Sequence, residues 1–143
     1  MVRGVDARAP ALILVVDDDV RTARLLVRML REDGFEVELA VDGAAAIGRL
    51  ARSPIPDVLV TDIQMPHADG VAVARYARSL RPDLPVLVVT GYPELVPRYP
   101  DELDPAPTVL SKPLDYTRLN DELRRITEIT SAAAVAAGRP PRT

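Results

Sequence analysis

The stretch "ALILVVDDD", residues 11–19, joins six apolar residues without interruption to three aspartates. A continuous apolar run of this length is typical of a parallel β-strand that is buried on both faces, whereas a half-exposed strand alternates apolar and polar residues. The aspartates fall where such a strand would leave the core. The stretch therefore predicts an α/β protein with a parallel sheet and carboxylates at the carboxyl end of its first strand.

The segments that follow keep this pattern of alternating strands and helices. "FEVELAV", residues 35–41, alternates apolar and acidic residues and is predicted as a strand at a sheet edge. Such alternation predicts a doubly wound, five-stranded parallel sheet with helices on both faces. The remaining strands are expected in 57–62, 86–89 and 108–111, and the helices after residue 20, in 43–51, from Asp69 to about residue 80, and in 114–130.

Several residues are predicted to begin, end or prevent helices. Asp19, Asp42 and Asp69 are predicted helix N-caps, and Gly34 is predicted to end the first helix. His67 and Gly70 are assigned to a surface turn. A fourth helix is expected to be short or irregular because prolines crowd the segment from Tyr92 to Thr108, at positions 93, 97, 100, 105 and 107.

The composition bounds the kind of protein. With 143 residues the chain suits a single domain, assigned to residues 11–130 between tails at 1–10 and 131–143. The formal charge of −3 argues against nucleic-acid binding, and no apolar run is long enough to span a membrane. The absence of cysteine excludes disulfides and thiolate sites, and the chain is expected to be cytoplasmic.

Five polar residues are predicted to converge at one edge of the sheet. They follow four different strands: Asp17, Asp18, Asp62, Thr90 and Lys112. In open parallel sheets the ligand crevice lies outside the carboxyl ends of the strands. Each pair of carboxylates about 4 Å apart costs roughly 4 kcal/mol at an effective dielectric near 20, so a hard cation such as Mg²⁺ is expected between them. The set predicts phosphate chemistry, with a carboxylate as the nucleophile.

Lys112 is the only lysine among the 18 Lys and Arg residues of the chain. Arginine is a planar fork and lysine a compact point charge, so a crowded pocket that needs one small ammonium group would not accept arginine. The alternative is coding bias that left one lysine behind. On this observation alone both readings stay open.

Four motifs in this order and spacing resemble the receiver domain of two-component response regulators: "ILVVDDD", "VTDIQMPHADG", "VVTG" and "SKP". The resemblance covers about residues 11–130 and implies the flavodoxin-like strand order 2-1-3-4-5. It makes Asp62 the acceptor of phosphate from a kinase phosphohistidine. It further implies Mg²⁺ held by Asp17, Asp18, Asp62 and the backbone carbonyl of Gln64.

The same resemblance assigns the remaining site residues and the partners. Thr90 and Lys112 would contact the bound phosphoryl group, and Pro113 would favour the tight connection after the fifth strand. The expected partners are a sensor histidine kinase and a downstream target or phosphotransfer protein, with homodimerisation left open. No DNA-binding or catalytic domain is evident after residue 130, so the chain is expected to be a stand-alone receiver and not an enzyme. A fragment of a larger regulator is the alternative.

Two other functions remain open from the sequence. "ILVVDDDVR" also fits a haloacid-dehalogenase-like phosphohydrolase with Asp17 as the nucleophile, although "TDIQMP" is then unexplained and no later acidic pair is evident. A receiver-like module that binds partners without phosphorylation is the third interpretation.

One departure from the family concerns signal output. Receivers commonly carry an aromatic residue three positions before the lysine, and here that position is Val109. Valine has no ring, and its β-branched side chain is stiff, so it cannot move between a buried and an exposed state as the aromatic residue does. The chain is therefore expected to signal by ordering of segment 93–107 instead.

Overall fold

The computed structural model describes residues 10–63, 70–94 and 105–136, with side chains described as far as residue 128. Five strands and four helices alternate along these ranges, except that β4 and β5 follow each other without a described helix. In chain order they are β1 (Leu12–Val16), α1 (Val20–Glu32), β2 (Glu36–Ala40), α2 (Gly43–Leu50), β3 (Val58–Thr61), α3 (Gly70–Leu80), β4 (Val86–Thr90), β5 (Thr108–Ser111) and α4 (Tyr116–Ala136).

All strands lie in one parallel sheet of order β2-β1-β3-β4-β5, which confirms the predicted fold class and strand order. The strand β2 lies at the edge, as its alternating sequence predicted, and its residues are less buried than those of β1. The sheet reverses its direction of growth between β1 and β3. Asp17 follows β1 and Asp62 follows β3, so both lie at the point where this kind of fold opens a crevice.

The core has two layers, one on each face of the sheet. Leu14 and Val16 of β1 pack with residues of α2 and α3, whereas Ile13 and Val15 pack with residues of α1 and α4. Successive residues of a strand point to opposite faces, so a strand covered on both sides must be apolar throughout. This explains why residues 11–16 lack any polar position.

The predicted caps within the described ranges are confirmed. The Asp19 side chain accepts a hydrogen bond from the Thr22 amide at the start of α1, and Asp42 does the same for Ala45 at the start of α2. Gly34 follows α1 with a φ of 99°, a left-handed conformation that favours glycine. The proposed cap at Asp69 lies outside the described residues.

The segment expected to hold an irregular fourth helix is described only at its ends. Pro93 and Glu94 form a short helical turn, and residues 95–104 lie outside the described part of the chain. At the other end of the domain, α4 continues past residue 130 to Ala136, while the terminal segments 1–9 and 137–143 lie outside the description. Among the helices described, none is both long and apolar enough to cross a membrane.

The first turns of α4 are tied to the end of α1. The Tyr116 hydroxyl donates to the Asp33 carboxylate, and Arg124 donates to the Asp33 carbonyl oxygen over 3.0 Å. Arg124 also lies over the Phe35 ring, 5.4 Å from its centroid. Burial and the contact with Asp33 raise the pKa of Tyr116 to about 12, so this phenol stays protonated and keeps its donor role at neutral pH.

A second polar anchor joins α2 to the edge strand. Arg49 is 8% exposed, and its guanidinium donates to both carboxylate oxygens of Glu38, at 2.6 and 3.2 Å. It also donates to the carbonyl oxygens of Arg52 and Pro54. The hydrogen bond from Arg49 lowers the pKa of Glu38, against the opposing effect of burial. Arg49 thus fixes the turn that leads from α2 into β3.

We predict that Glu38→Gln destabilises the fold by about 1 kcal/mol at pH 7, because the charge-assisted pair with Arg49 is lost. The pKa of Glu38 is lower in the folded protein than its ordinary value of 4.5, so this contribution is full above pH 4.5 and disappears as the pH falls through the folded pKa. Urea unfolding at several pH values measures it. The exposed Glu32→Gln is the control, and an equal loss at pH 3 and pH 7 would contradict the assignment.

Candidate functional site

Three carboxylates meet at the carboxyl edge of the sheet. Asp17, Asp18 and Asp62 each present a carboxylate oxygen, and these oxygens all lie within 4.8 Å of one another. Backbone hydrogen bonds set this placement, since the Asp17 amide donates to Ala40 over 3.1 Å and the Asp62 amide donates to Val16 over 3.2 Å. The two aspartates therefore continue the ladders of β1 and β3 by one residue. These three side chains therefore converge, as the sequence predicted.

Lys112 brings the positive charge of the site. Its Nζ lies 2.8 Å from Asp62 Oδ2 and 4.0 Å from Asp17 Oδ2. The Lys112 amide donates to the Thr90 carbonyl over 2.8 Å and so extends the β4–β5 ladder. The side chains of Asp62 and Asp17 are only 12% and 17% exposed, which weakens solvent screening of these charges.

The pKa values reflect this crowding. Burial raises the pKa of Asp17, as do the charges of Asp62 and Asp18, although the Asp19 amide and Lys112 partly oppose the increase. Burial on its own would lower the pKa of Lys112, but the hydrogen bond to Asp62 and the three carboxylate charges outweigh it and raise that pKa. Lys112 is therefore a firmly charged ammonium group. It offsets one of the three negative charges that the ionised carboxylates would carry.

Thr90 ends β4 beside the lysine and is fully buried. Its Oγ1 accepts a hydrogen bond from the Tyr92 amide over 3.0 Å. A hydroxyl that accepts in this way still has a proton to donate. Tyr92 itself is 55% exposed.

The other residues named from the sequence have mixed outcomes. Asp19 is a helix cap and not part of the carboxylate cluster, as predicted. Gln64, the proposed carbonyl ligand, and His67 lie outside the described residues. The assignment of Gly70 to a surface turn is wrong, because Gly70 is buried and begins α3.

Gly70 packs directly on the backbone of the aspartate after β3, which the sequence did not indicate. A Cβ atom at Gly70 would lie 2.0 Å from the carbonyl oxygen of Asp62. The same carbonyl oxygen accepts a hydrogen bond from Thr61 Oγ1 over 2.8 Å, and Thr61 is 1% exposed. A polar residue at the end of an otherwise apolar strand was the available signal for Thr61. The approach of Gly70 is a tertiary contact with no local sequence signature.

Comparison with known proteins identifies the family. The sequence model of the family described as the response regulator receiver domain matches residues 13–124 of this chain. The chain is 40% identical over 134 residues to a response regulator MprA from Mycolicibacterium vanbaalenii, covering 90% of this chain and 57% of the relative. It is 38% identical over 122 residues to an MprA from a Mycobacterium species, covering 85% of this chain and 53% of the relative.

Solved structures agree. A response regulator receiver protein from Sinorhizobium medicae superposes with a TM-score of 0.76 at 28% identity, covering 85% of this chain and 97% of the other. The chemotaxis protein CheY4 of Vibrio cholerae gives a TM-score of 0.71 at 30% identity, covering 82% of this chain and 99% of the other.

The chain therefore belongs to the receiver domains of response regulators, from the two-component systems of bacteria. Domains of this family are signalling phosphoacceptors rather than classical enzymes, and they interact with histidine kinases and downstream effectors. The chain spans about half the length of the curated relatives it matches.

We predict that Asp17→Asn is at least as stable as the wild type at pH 7 in EDTA. Asparagine keeps the Oδ1 acceptor for the Asp19 amide, 2.9 Å away, but removes a charge that burial disfavours. The pKa of Asp17 is raised above 3.8 in the folded protein, so the cost of its ionisation appears as the pH rises above that value and is absent below it. The advantage of the variant should vanish near pH 3.

Magnesium should reverse this order. If the cluster binds the ion, the wild type gains about 2.7 kcal/mol at a hundredfold excess over Kd, and Asp17→Asn gains less. Thermal unfolding with EDTA and with MgCl₂ measures both effects, with the exposed Asp121→Asn as the control. Equal stabilisation of all three proteins by magnesium would rule out a metal site at this cluster.

Proposed function

We propose that the chain accepts a phosphoryl group from the phosphohistidine of a sensor histidine kinase onto Asp62. The contact between Lys112 Nζ and Asp62 Oδ2, 2.8 Å long, carries this proposal. This contact holds the Asp62 carboxylate at the carboxyl edge of the sheet, and the ammonium group attracts the negatively charged phosphoryl group of the donor. In the transfer, an Asp62 oxygen forms a bond to phosphorus and the bond from phosphorus to the histidine nitrogen breaks.

The three carboxylates fit a hard divalent cation, and we assign Mg²⁺ to them. Carboxylate oxygens are the ligands that magnesium prefers in proteins. One carboxylate oxygen each from Asp17, Asp18 and Asp62 lies within 4.8 Å of the other two, so these residues would hold the ion together. When bound, the ion supplies charge neutralisation at the phosphoryl oxygens. The backbone carbonyl of Gln64 remains a proposed further ligand.

Lys112 and Thr90 are proposed to stabilise the transferred group. Lys112 provides a charged donor, because the surrounding carboxylates keep its pKa raised. Thr90 retains a hydroxyl proton while its oxygen accepts from Tyr92. Preorganised donors aimed at the equatorial oxygens are the main contribution a protein makes to phosphoryl transfer.

The alternative nucleophile, Asp17, is less favoured by the geometry. Lys112 lies 2.8 Å from Asp62 but 4.0 Å from Asp17, and Asp17 Oδ1 already accepts from the Asp19 amide. The family match further favours a phosphoacceptor over a phosphohydrolase with Asp17 as nucleophile, and the full set of acidic and basic side chains disfavours an unphosphorylated binding module.

Partners and output are part of the proposal. We expect a sensor kinase as donor in the cytoplasm and a downstream protein or phosphotransfer protein as recipient, without nucleic-acid or membrane contact by residues 11–130. Val109 is partly buried and packs against the core layer that contains α2 and α3. Output through ordering of segment 93–107 remains a proposal, since most of that segment lies outside the described residues.

We predict that Asp62→Asn abolishes labelling by acetyl phosphate or by a phosphorylated kinase. The label on the wild type should resist acid and be lost in base, as expected of an acyl phosphate. Asp121→Asn, exposed on α4, serves as the control for loss of one carboxylate. Label that survives Asp62→Asn, or rapid turnover of phosphomonoesters, would favour the phosphohydrolase interpretation instead.

Lys112→Arg is expected to lower the phosphorylation rate at least about tenfold, equivalent to about 1.4 kcal/mol in the barrier. The guanidinium keeps the charge, but its planar fork does not fit the position of a compact ammonium 2.8 Å from Asp62 and 4.0 Å from Asp17. The rate with acetyl phosphate measures the effect. Arg118→Lys, the reverse exchange at an exposed position of α4, controls for the composition change. A rate equal to that of the wild type would support coding bias as the reason for the single lysine.

A further inference from the structure

We propose that Thr61 and Gly70 are positioning residues that together fix the peptide joining Asp62 to Ile63. This inference rests on the proposed function of Asp62 as the phosphoacceptor. It concerns the backbone between Asp62 and Ile63 and not the charged side chains of the site.

The Thr61 hydroxyl holds one side of this peptide. Thr61 is the last residue of β3 and lies between Val16 of β1 and Val88 of β4, where only 1% of it is exposed. Its Oγ1 donates to the carbonyl oxygen of Asp62 over 2.8 Å. A buried hydroxyl needs a partner, and leaving a buried acceptor unsatisfied is costly. Here the partner is the carbonyl of the next residue, so the bond restrains rotation of the peptide beyond the end of the strand.

Gly70 closes the other side. A Cβ atom at this position would lie 2.0 Å from the Asp62 carbonyl oxygen, and 2.9 Å both from the Asp62 carbonyl carbon and from Ile63 Cα. The Gly70 amide donates to the Ile63 carbonyl over 3.1 Å, which ties the start of α3 to the same two residues. Any side chain at position 70 must therefore displace either this peptide or the first turn of α3.

The position of this peptide determines where the Asp62 carboxylate lies. The side chain is short, so a rotation of the backbone moves its oxygens relative to Lys112 Nζ, now 2.8 Å away. A misplacement of about 1 Å at a reacting group can lower a rate about a hundredfold. The hydroxyl of Thr61 and the absence of a side chain at Gly70 therefore serve phosphoryl transfer, in addition to packing.

The test uses matched variants at each position. Thr61→Val removes the hydroxyl and keeps the branched shape, and Thr61→Ser returns the hydroxyl. Gly70→Ala adds the Cβ, and Gly48→Ala is its control, because a Cβ at Gly48 in α2 meets nothing within 4 Å. Val71→Ala controls for loss of stability alone, since Val71 is a buried neighbour in α3.

Two measurements are made on each variant of the 143-residue chain. The first is the rate of phosphorylation by acetyl phosphate with magnesium, at a temperature where all variants are folded. The second is the ¹⁵N and ¹H shift of the Ile63 amide without donor or metal, because this amide shares the peptide with the Asp62 carbonyl. Thr61→Val and Gly70→Ala should slow phosphorylation about tenfold or more and move the Ile63 signal. Thr61→Ser should restore most of the rate, and Gly48→Ala and Val71→Ala should leave it within about twofold.

The outcomes separate this inference from the function on which it rests. Wild-type rates in Thr61→Val and in Gly70→Ala would overturn the positioning role, as would an equal loss in Val71→Ala. If Gly70→Ala does not fold, the Thr61 pair still decides. If the wild type takes no label on Asp62, the proposed function fails, whereas the Ile63 shift still reports whether the two residues hold the peptide.

Discussion

The site depends on one ion pair, between Lys112 Nζ and Asp62 Oδ2. Three carboxylates placed together repel one another, and burial makes the ionised state of Asp17 still less favourable. Lys112 is the group that offsets part of this cost in the folded chain. Because it offsets only one of three charges, the cluster stays negative when the carboxylates are ionised. A cluster in that state favours a divalent cation and, through it, an anionic phosphoryl group.

The sheet makes this pair possible, since its partners are 50 residues apart in the chain. Asp62 follows a central strand and Lys112 follows an edge strand, and β4 lies between them. The segment from Lys112 to Tyr116 is anchored at both ends. The Lys112 amide binds the Thr90 carbonyl, and four residues later Tyr116 binds Asp33 at the end of α1. The lysine is thus held by backbone and by helix packing, not by its ion pair alone.

Much of this arrangement was predictable from the sequence because it follows from periodicity and polarity. The apolar run of β1 indicated a strand covered on both faces, and the alternating residues of β2 indicated an edge; both are confirmed. The carboxylates and Lys112 were identified because charged residues after buried strands are conspicuous. The anchors Arg49–Glu38 and Tyr116–Asp33 were not predicted, since such pairs depend on which helices become neighbours.

The role of Gly70 could not be predicted from the sequence. A glycine after an aspartate is ordinarily read as a turn residue, and the left-handed Gly34 is of that kind. Gly70 instead starts a helix, and glycine is needed there because any side chain would overlap the backbone of Asp62. That requirement exists only once β3 and α3 have packed. The charged groups of the site can therefore be found in the sequence, whereas the backbone that aims them is determined by the packing of the fold.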